Sequence, residues 1–147
     1  MPIYQHILLA ADLLEDEDHP VTKKASELAV ASGALLSLIH VVEFPYTYGM
    51  PYESPIMADW QLEIEKNAKM NVQALGKKLN IPVERQHLVN GQAKHLILET
   101  AEKIHADLII VGSHGRHGIG LLLLGSTASG VLHGAKCDVL AVRVDNQ

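Results

Sequence analysis

The stretch from Asp107 to Thr127 reads DLIIVGSHGRHGIGLLLLGST. It opens on Leu108, Ile109, Ile110 and Val111, an apolar and largely β-branched run with no polar alternation. That pattern suits a strand covered on both faces. Gly112, Gly115, Gly118, Gly120 and Gly125 follow in quick succession, and Ser126-Thr127 then begins a segment able to form a helix. A strand, a glycine-rich loop and a helix start, in that order, make a phosphate cradle. Glycine lets backbone N–H groups come close to an anion, and the helix N-terminus adds partial positive charge. Ser126 and Thr127 can donate hydroxyls to phosphate oxygens. A glycine-rich loop that merely needed its turns would read the same way, so the loop by itself leaves both readings open.

Outward from this stretch the chain alternates strands and helices. Ile3 to Ala11 contains the short buried run Ile7 to Ala11, which ends at Asp12. The acidic run Glu15 to Asp18 suits a helix N-terminus, where negative charge is favoured, or simply a solvated face. Pro20 fits the first turn of that helix. Val21, Ala25, Leu28, Ala29 and Ser32 mark one helical face, and Gly33 is a C-terminal stop. Leu35 to Val42 (LLSLIHVV) is a second buried strand. Glu43 to Ile56, with three prolines and a glycine, is irregular, and Phe44, Tyr46, Tyr48 and Tyr52 give it most of the aromatic residues. It reads as a lid, a contact surface or a loop packed on its own domain.

Met57, Trp60, Ile64, Ala68, Val72, Leu75 and Leu79 recur every three or four residues, the face of a long amphipathic helix. Val83 to Val89 reads as a strand whose Glu84, Arg85, Gln86 and His87 place it at a sheet edge. Asn90-Gly91 is a turn. Leu96, Ile97, Thr100, Ala101 and Ile104 mark a third helix. Ser126 to Gly134 is a short fourth one, and Val139 to Val144 a last strand. Alternation of this kind predicts an α/β fold, an open doubly wound five-stranded parallel sheet with helices on both faces. In the order 3-2-1-4-5, Asp12 after strand 1, His40 to Val42 at strand 2 and the glycine loop after strand 4 converge on one crevice. Such folds bind ligands beyond the carboxyl ends of their strands. A carboxylate, a backbone edge and a phosphate cradle are the parts a nucleotide needs.

The 147 residues form one domain of ordinary size, residues 1 to 147, with 48% apolar and 20% charged side chains. That composition is globular. A net charge of −5 argues against a nucleic-acid footprint. Cys137, the single cysteine, cannot form an internal disulfide and fits a reducing compartment. The N-terminal residues carry no basic region of a signal peptide, and no apolar run is long enough for a membrane span. The expectation is a cytoplasmic protein that inserts into no membrane.

The full chain resembles the universal stress protein family. Its motif, Gly-x2-Gly-x9-Gly-[Ser/Thr], is met by Gly112, Gly115 and Gly125-Ser126. HILLAAD, LSLIHVVE, ADLIIVGSHG and CDVLAVRV resemble the family's first, second, fourth and closing strands. The resemblance implies a five-stranded sheet that commonly dimerises and, in the branch carrying this motif, ATP binding, with any Mg or Mn held mainly by the phosphates. Carried over by position, Ala10, Ala11 and Asp12 line the nucleoside side and Val41 meets adenine through its backbone. Gly112, Ser113, His114, Gly115, Arg116, Gly125, Ser126 and Thr127 surround ribose and phosphates. Many members follow the first aspartate with Gly-Ser; here Leu13-Leu14 follows Asp12, as in the branch that often lacks nucleotide.

Asp12 would hydrogen-bond ribose or help hold a metal-bound phosphate; its alternative is a helix cap. Arg116 would pair with a terminal phosphate or stand exposed. His114, His117 and His133 show no familiar zinc spacing, and Cys137 reads as a small buried residue. There is no GxxxxGK[ST] sequence, hence no loop lysine at the β- and γ-phosphates, and no group that would position an attacking water. The leading expectation is an ATP-binding regulatory protein with slow or no hydrolysis. A slow ATPase and an interaction protein with an empty pocket are the alternatives. The final strand, Asp138 to Val144, is apolar and free of proline, and at a sheet edge it would pair with a second copy.

Overall fold

A strand flanked by strands on both sides and by helices on both faces has no solvent-facing position to fill. The residues of β1 (His6–Ala10) and β4 (Leu108–Gly112) meet that condition: Ile7, Leu8, Leu9 and Ile110 have no exposure at all. The computed structural model describes residues 3–12, 19–43, 55–113 and 124–144. Besides β1 and β4 it contains β2 (Leu35–Val42), β3 (Gln86–Asn90) and β5 (Asp138–Val142). All neighbouring strands are parallel and the order is β3-β2-β1-β4-β5. This is the expected doubly wound sheet. β1 pairs with β4 in the register Ile7 to Leu108, Leu8 to Ile109 and Leu9 to Ile110.

Alternate side chains along each strand face opposite ways, so the sheet carries two cores. On one face Ile7, Leu9, Leu36, Leu38 and Ile110 meet Val21, Ala25 and Ala29 of α1 (Pro20–Ser32) and Val72 and Leu75 of α2 (Pro55–Lys78). On the other, Leu8, Ile39, Ile109 and Val111 meet α3 (Ala93–Lys103) and α4 (Ser126–Gly134). Pro20 opens α1, the His19 side chain caps it by accepting from the Val21 N–H, and Gly33 ends it in the left-handed region at φ 65°. The stop read from the sequence at Gly33 is thus the conformation that glycine adopts without strain.

Three local expectations differ from the structure. Trp60 is 39% exposed instead of lying on the buried face of α2, whose core contacts come from Met57, Ala68, Val72 and Leu75. Residues Val83–Arg85 form a 3-10 turn, and the strand begins only at Gln86. Pro82 and the Arg85 side chain, which donates to the Leu36 carbonyl, shape that entry. β5 starts one residue earlier and ends two earlier than the apolar pattern suggests. The acidic run Glu15 to Asp18, Leu13-Leu14 and the aromatic residues Phe44 to Tyr52 lie outside the described residues.

The lower edge of the sheet is tied by side chains that the apolar pattern does not reveal. The Asp107 carboxylate accepts from the backbone N–H groups of Gln5 (2.8 Å) and His6 (3.0 Å), locking the start of β4 to the start of β1. The Tyr4 hydroxyl donates to the Asp138 carboxylate at 2.9 Å, which reaches across to β5. His6 Nε2 lies 2.6 Å from the hydroxyl of the fully buried Ser37. Burial pushes the His6 imidazole below its ordinary value; Arg85 adds to this, while the Ile104 carbonyl and Asp107 oppose it. His87 is lowered as well, by burial first and then by Lys103 and His6.

Both imidazoles are therefore harder to protonate in the folded chain than in the unfolded one, which takes up protons near the ordinary histidine value of about 6.5. The stability they contribute is present above that value and is lost as pH falls through it. The melting temperature should drop between about pH 7.5 and pH 5.5, and drop less in His6→Gln, whose amide keeps a partner for Ser37. Scanning calorimetry across that range checks the difference in slope.

Candidate functional site

The carboxyl edge of the sheet is organised by backbone groups that leave the strands in a controlled way. Ala11, just past β1, donates its N–H to the Ile39 carbonyl at 3.0 Å. Its own carbonyl accepts from His40 Nδ1 at 2.8 Å. A carbonyl only accepts, so Nδ1 carries the proton. His40 thereby holds the point at which the chain turns out of β1 toward the half-buried Asp12. On the next strand Val42 accepts from the Gly91 N–H (3.1 Å), and the Glu43 carboxylate accepts from the Ala93 N–H (2.7 Å) at the start of α3. A carboxylate there complements the helix dipole.

The β4 side is clamped more tightly. Ser113 donates its N–H to the Val142 carbonyl (2.8 Å), and its carbonyl accepts from the Gly125 N–H (2.7 Å). Its hydroxyl oxygen accepts from the Val144 N–H at 3.2 Å. Ser113 is thus the knot joining β4, β5 and the start of α4. The two ends of the glycine loop, thirteen positions apart in the Gly112 to Gly125 motif, meet there. Gly125 is the N-cap of α4, extended at φ −60° and ψ 159°, and as a glycine it has no side chain to cap that helix. The N–H groups of a helix's first turn can receive an anion. Ser126 is exposed and Thr127 half-buried beside them.

Of the residues expected at the site, Ala10, Ala11, Asp12, Val41, Gly112, Ser113, Gly125, Ser126 and Thr127 all lie at this carboxyl edge. Ser113 has its hydroxyl engaged with the Val144 N–H. His114, Gly115 and Arg116 lie outside the described residues, as does His117. The sequence placed His40 to Val42 at this crevice but not the bond from the His40 side chain to Ala11, and it gave Glu43 no role.

A second concavity lies at the opposite edge of the sheet. It is an open groove of about 380 Å³ between the C-terminal ends of α3 and α4, floored by Leu98, Ala101 and Ile109 and bordered by His105 and Cys137. The Glu102 and Lys136 ion pair, 2.7 Å and exposed, stands on its rim. The groove lies at the edge opposite the N-terminus of α4. Burial pushes the Cys137 thiol up, with Asp138 and Asp107 adding to the shift, so it is a poor nucleophile. Among the described residues no three His, Cys, Asp or Glu side chains gather to hold a metal, and no helix is long and apolar enough to cross a membrane.

The profile of the universal stress protein family matches residues 3–143. The chain belongs to the universal stress protein family. It is 48% identical over 144 residues to universal stress protein A homolog 2 of Coxiella burnetii, an alignment covering 98% of both chains. Among solved structures it resembles the universal stress protein UspA from Lactobacillus plantarum, with a TM-score of 0.74 at 23% identity over 95% of this chain and 98% of that one. It also resembles a universal stress protein in complex with cAMP, with a TM-score of 0.57 at 28% identity over 95% of this chain and 96% of that one.

If His40 holds the exit from β1, its loss leaves the Ala11 carbonyl without that partner. His40→Leu should lower the unfolding free energy by about 1–2 kcal/mol, the usual cost of an orphaned, partly buried hydrogen-bonding group. Urea unfolding followed by circular dichroism measures it, and His40→Asn, which keeps a donor, should recover part of the loss.

Proposed function

We propose that this chain binds ATP at the carboxyl edge of the sheet and acts as a regulatory protein whose nucleotide state alters its contacts. The observation that carries this reading is the N-terminus of α4, seated behind Gly125 and tied through Ser113 to the end of β4, beside β1 and Asp12. Ser126, Thr127 and the first-turn N–H groups would receive the phosphates. Asp12 would take the ribose or a metal-bound phosphate, and the backbone at Val41 the adenine. Gly112, Gly115 and Gly125 would leave room for the anion, with His114 and Arg116 on the loop. Any Mg or Mn would be held mainly by the phosphates. The similarity to a protein solved with cAMP supports an adenine nucleotide in general and favours cAMP as the second candidate ligand.

The chain has no GxxxxGK[ST] lysine, and no side chain has been identified that would orient an attacking water, so binding with slow or no hydrolysis is the expected behaviour. The single cysteine, with its raised thiol, accords with work in the cytoplasm.

Homodimerisation through β5 belongs to the same reading. β5 is an edge strand. The Val142 carbonyl accepts from Ser113, and in a parallel ladder a residue turns both of its polar backbone groups to the same neighbour. Val142 therefore faces β4, and Val139 and Ala141 turn their N–H and C=O groups outward. A second copy could pair there under a two-fold axis.

Three measurements test these statements. Nucleotide released by denaturing freshly purified protein should be an adenine nucleotide by mass, and titration calorimetry with ATP should give binding that Gly115→Val abolishes, since a branched side chain would fill the anion's approach. Wild-type affinity in folded Gly115→Val defeats the placement. Steady-state hydrolysis should stay below about 1 s⁻¹, the low end for dedicated phosphoryl-transfer enzymes. In sedimentation the parent should be a dimer and Ala141→Pro largely monomeric, because a proline at an outward-facing edge position blocks pairing while sparing the β4 ladder.

A further inference from the structure

The lower edge of the sheet holds a polar cluster that the candidate site does not use. His6 of β1 and His87 of β3 both turn to the face covered by α3, on either side of Ser37 of β2. Ser37 is fully buried, and among the described residues the His6 ring is the partner of its hydroxyl, with Nε2 at 2.6 Å. The carbonyl of Ile104, the C-cap of α3, bonds to the same ring. Nε2 is taken by Ser37, so that carbonyl meets Nδ1. A carbonyl only accepts, so Nδ1 carries the proton and Nε2 accepts from the Ser37 hydroxyl. One neutral ring thereby joins β1, β2 and the end of α3.

A second proton disturbs this arrangement. Nε2 becomes a donor, Ser37 has to accept, and the hydroxyl hydrogen is left without a described acceptor in a fully buried place. The surrounding charges add to the difficulty. Arg85 of the 3-10 turn faces His6, and Lys103 of α3 faces His87, which itself acts on His6. The nearby anion, Asp107, already accepts the N–H groups of Gln5 and His6. The Ile104 carbonyl and Asp107 favour the charged ring, and burial, the largest influence, outweighs them. Water can reach the ring only if one of its covers moves. β1 and β2 are inner strands with a ladder on each side, whereas the last turn of a helix opens readily. Glu102, His105 and Ala106 at that end also line the groove between α3 and α4, so its movement reshapes a groove wall.

We propose that His6 is a proton-operated latch, which when neutral ties the end of α3 to β1 and β2 and when protonated frees residues 102–106 from the sheet while the rest of the fold persists. It differs from the general loss of stability at low pH in being confined to one helix end, and it is independent of the nucleotide reading above.

Amide hydrogen exchange of the full chain, read by NMR between about pH 7.5 and about pH 5.5 and corrected for the intrinsic pH dependence of exchange, tests it. The Ile104 and Ala106 amides close on the Thr100 and Ala101 carbonyls at 3.0 and 2.9 Å. Their opening constant should rise over that range, by at most about tenfold for one histidine of ordinary value in the open state. The Ala34 amide, which closes the end of α1 on the other face, should change far less. His6→Gln, which does not titrate, should remove the rise. His105→Asn, in the same segment and suited to its left-handed φ of 57°, should keep it. In the parent the rise should follow the titration of the His6 ring in the same spectra. A rise that follows another group overturns the assignment, whether or not His6→Gln folds. An opening constant independent of pH, the same rise in His6→Gln, or an equal rise at Ala34 also overturns it.

Discussion

The pairing of β1 with β4 is the constraint on which the rest of the molecule depends. These strands are distant in sequence, and their contact is made by six side chains, Ile7, Leu8, Leu9, Leu108, Ile109 and Ile110, none more than 2% exposed. Strands this apolar cannot sit at an edge without exposing large hydrophobic area, at roughly 25 cal/mol for every Å² left in water. Placing them side by side in the centre sends β2 and β3 outward on one side and β5 on the other. The reversal of winding between β1 and β4 opens the crevice. Asp107 strengthens this pairing from below: its carboxylate holds the N–H groups that β1 would otherwise leave unsatisfied where it begins.

At the upper edge the same pairing sets two chain exits next to each other, and each is fastened by a different device. His40 reaches from β2 to the carbonyl of Ala11, so the path out of β1 is held by its neighbour. Ser113 uses its N–H, carbonyl and hydroxyl oxygen together, on Val142, Gly125 and Val144. This leaves α4 starting at a glycine, Gly125. α1 and α3 have their starts occupied, by the His19 ring in one case and the Glu43 carboxylate in the other.

Much of this was legible in the residues. The apolar runs of β1, β2 and β4 announce strands buried on both faces, and the helix periods between them dictate parallel crossovers. Pro20 and Gly33 mark the ends of α1 because each has a conformation that only a helix start or stop favours. The glycine spacing from Gly112 to Gly125 and the following Ser126-Thr127 raise the expectation of a phosphate cradle. Where the reading missed, the cause was local. Trp60 fits the period of α2 yet is 39% exposed, and Pro82 with Arg85 turns what looks like the start of β3 into a 3-10 turn.

The sequence by itself determined the fold class and the edge position of β3, because periodicity and strand burial are properties of neighbouring residues. Only the tertiary structure decided which distant groups meet. Asp107 with the start of β1, His40 with Ala11, and Ser113 with Val142 and Gly125 are pairings between residues on different elements. No pattern along the chain encodes them, since each depends on strand register and helix packing, which are set by the whole core at once. The outward-facing backbone of Ala141 has the same origin, because the side to which a strand turns its polar groups is fixed by its partner's register and not by its own residues.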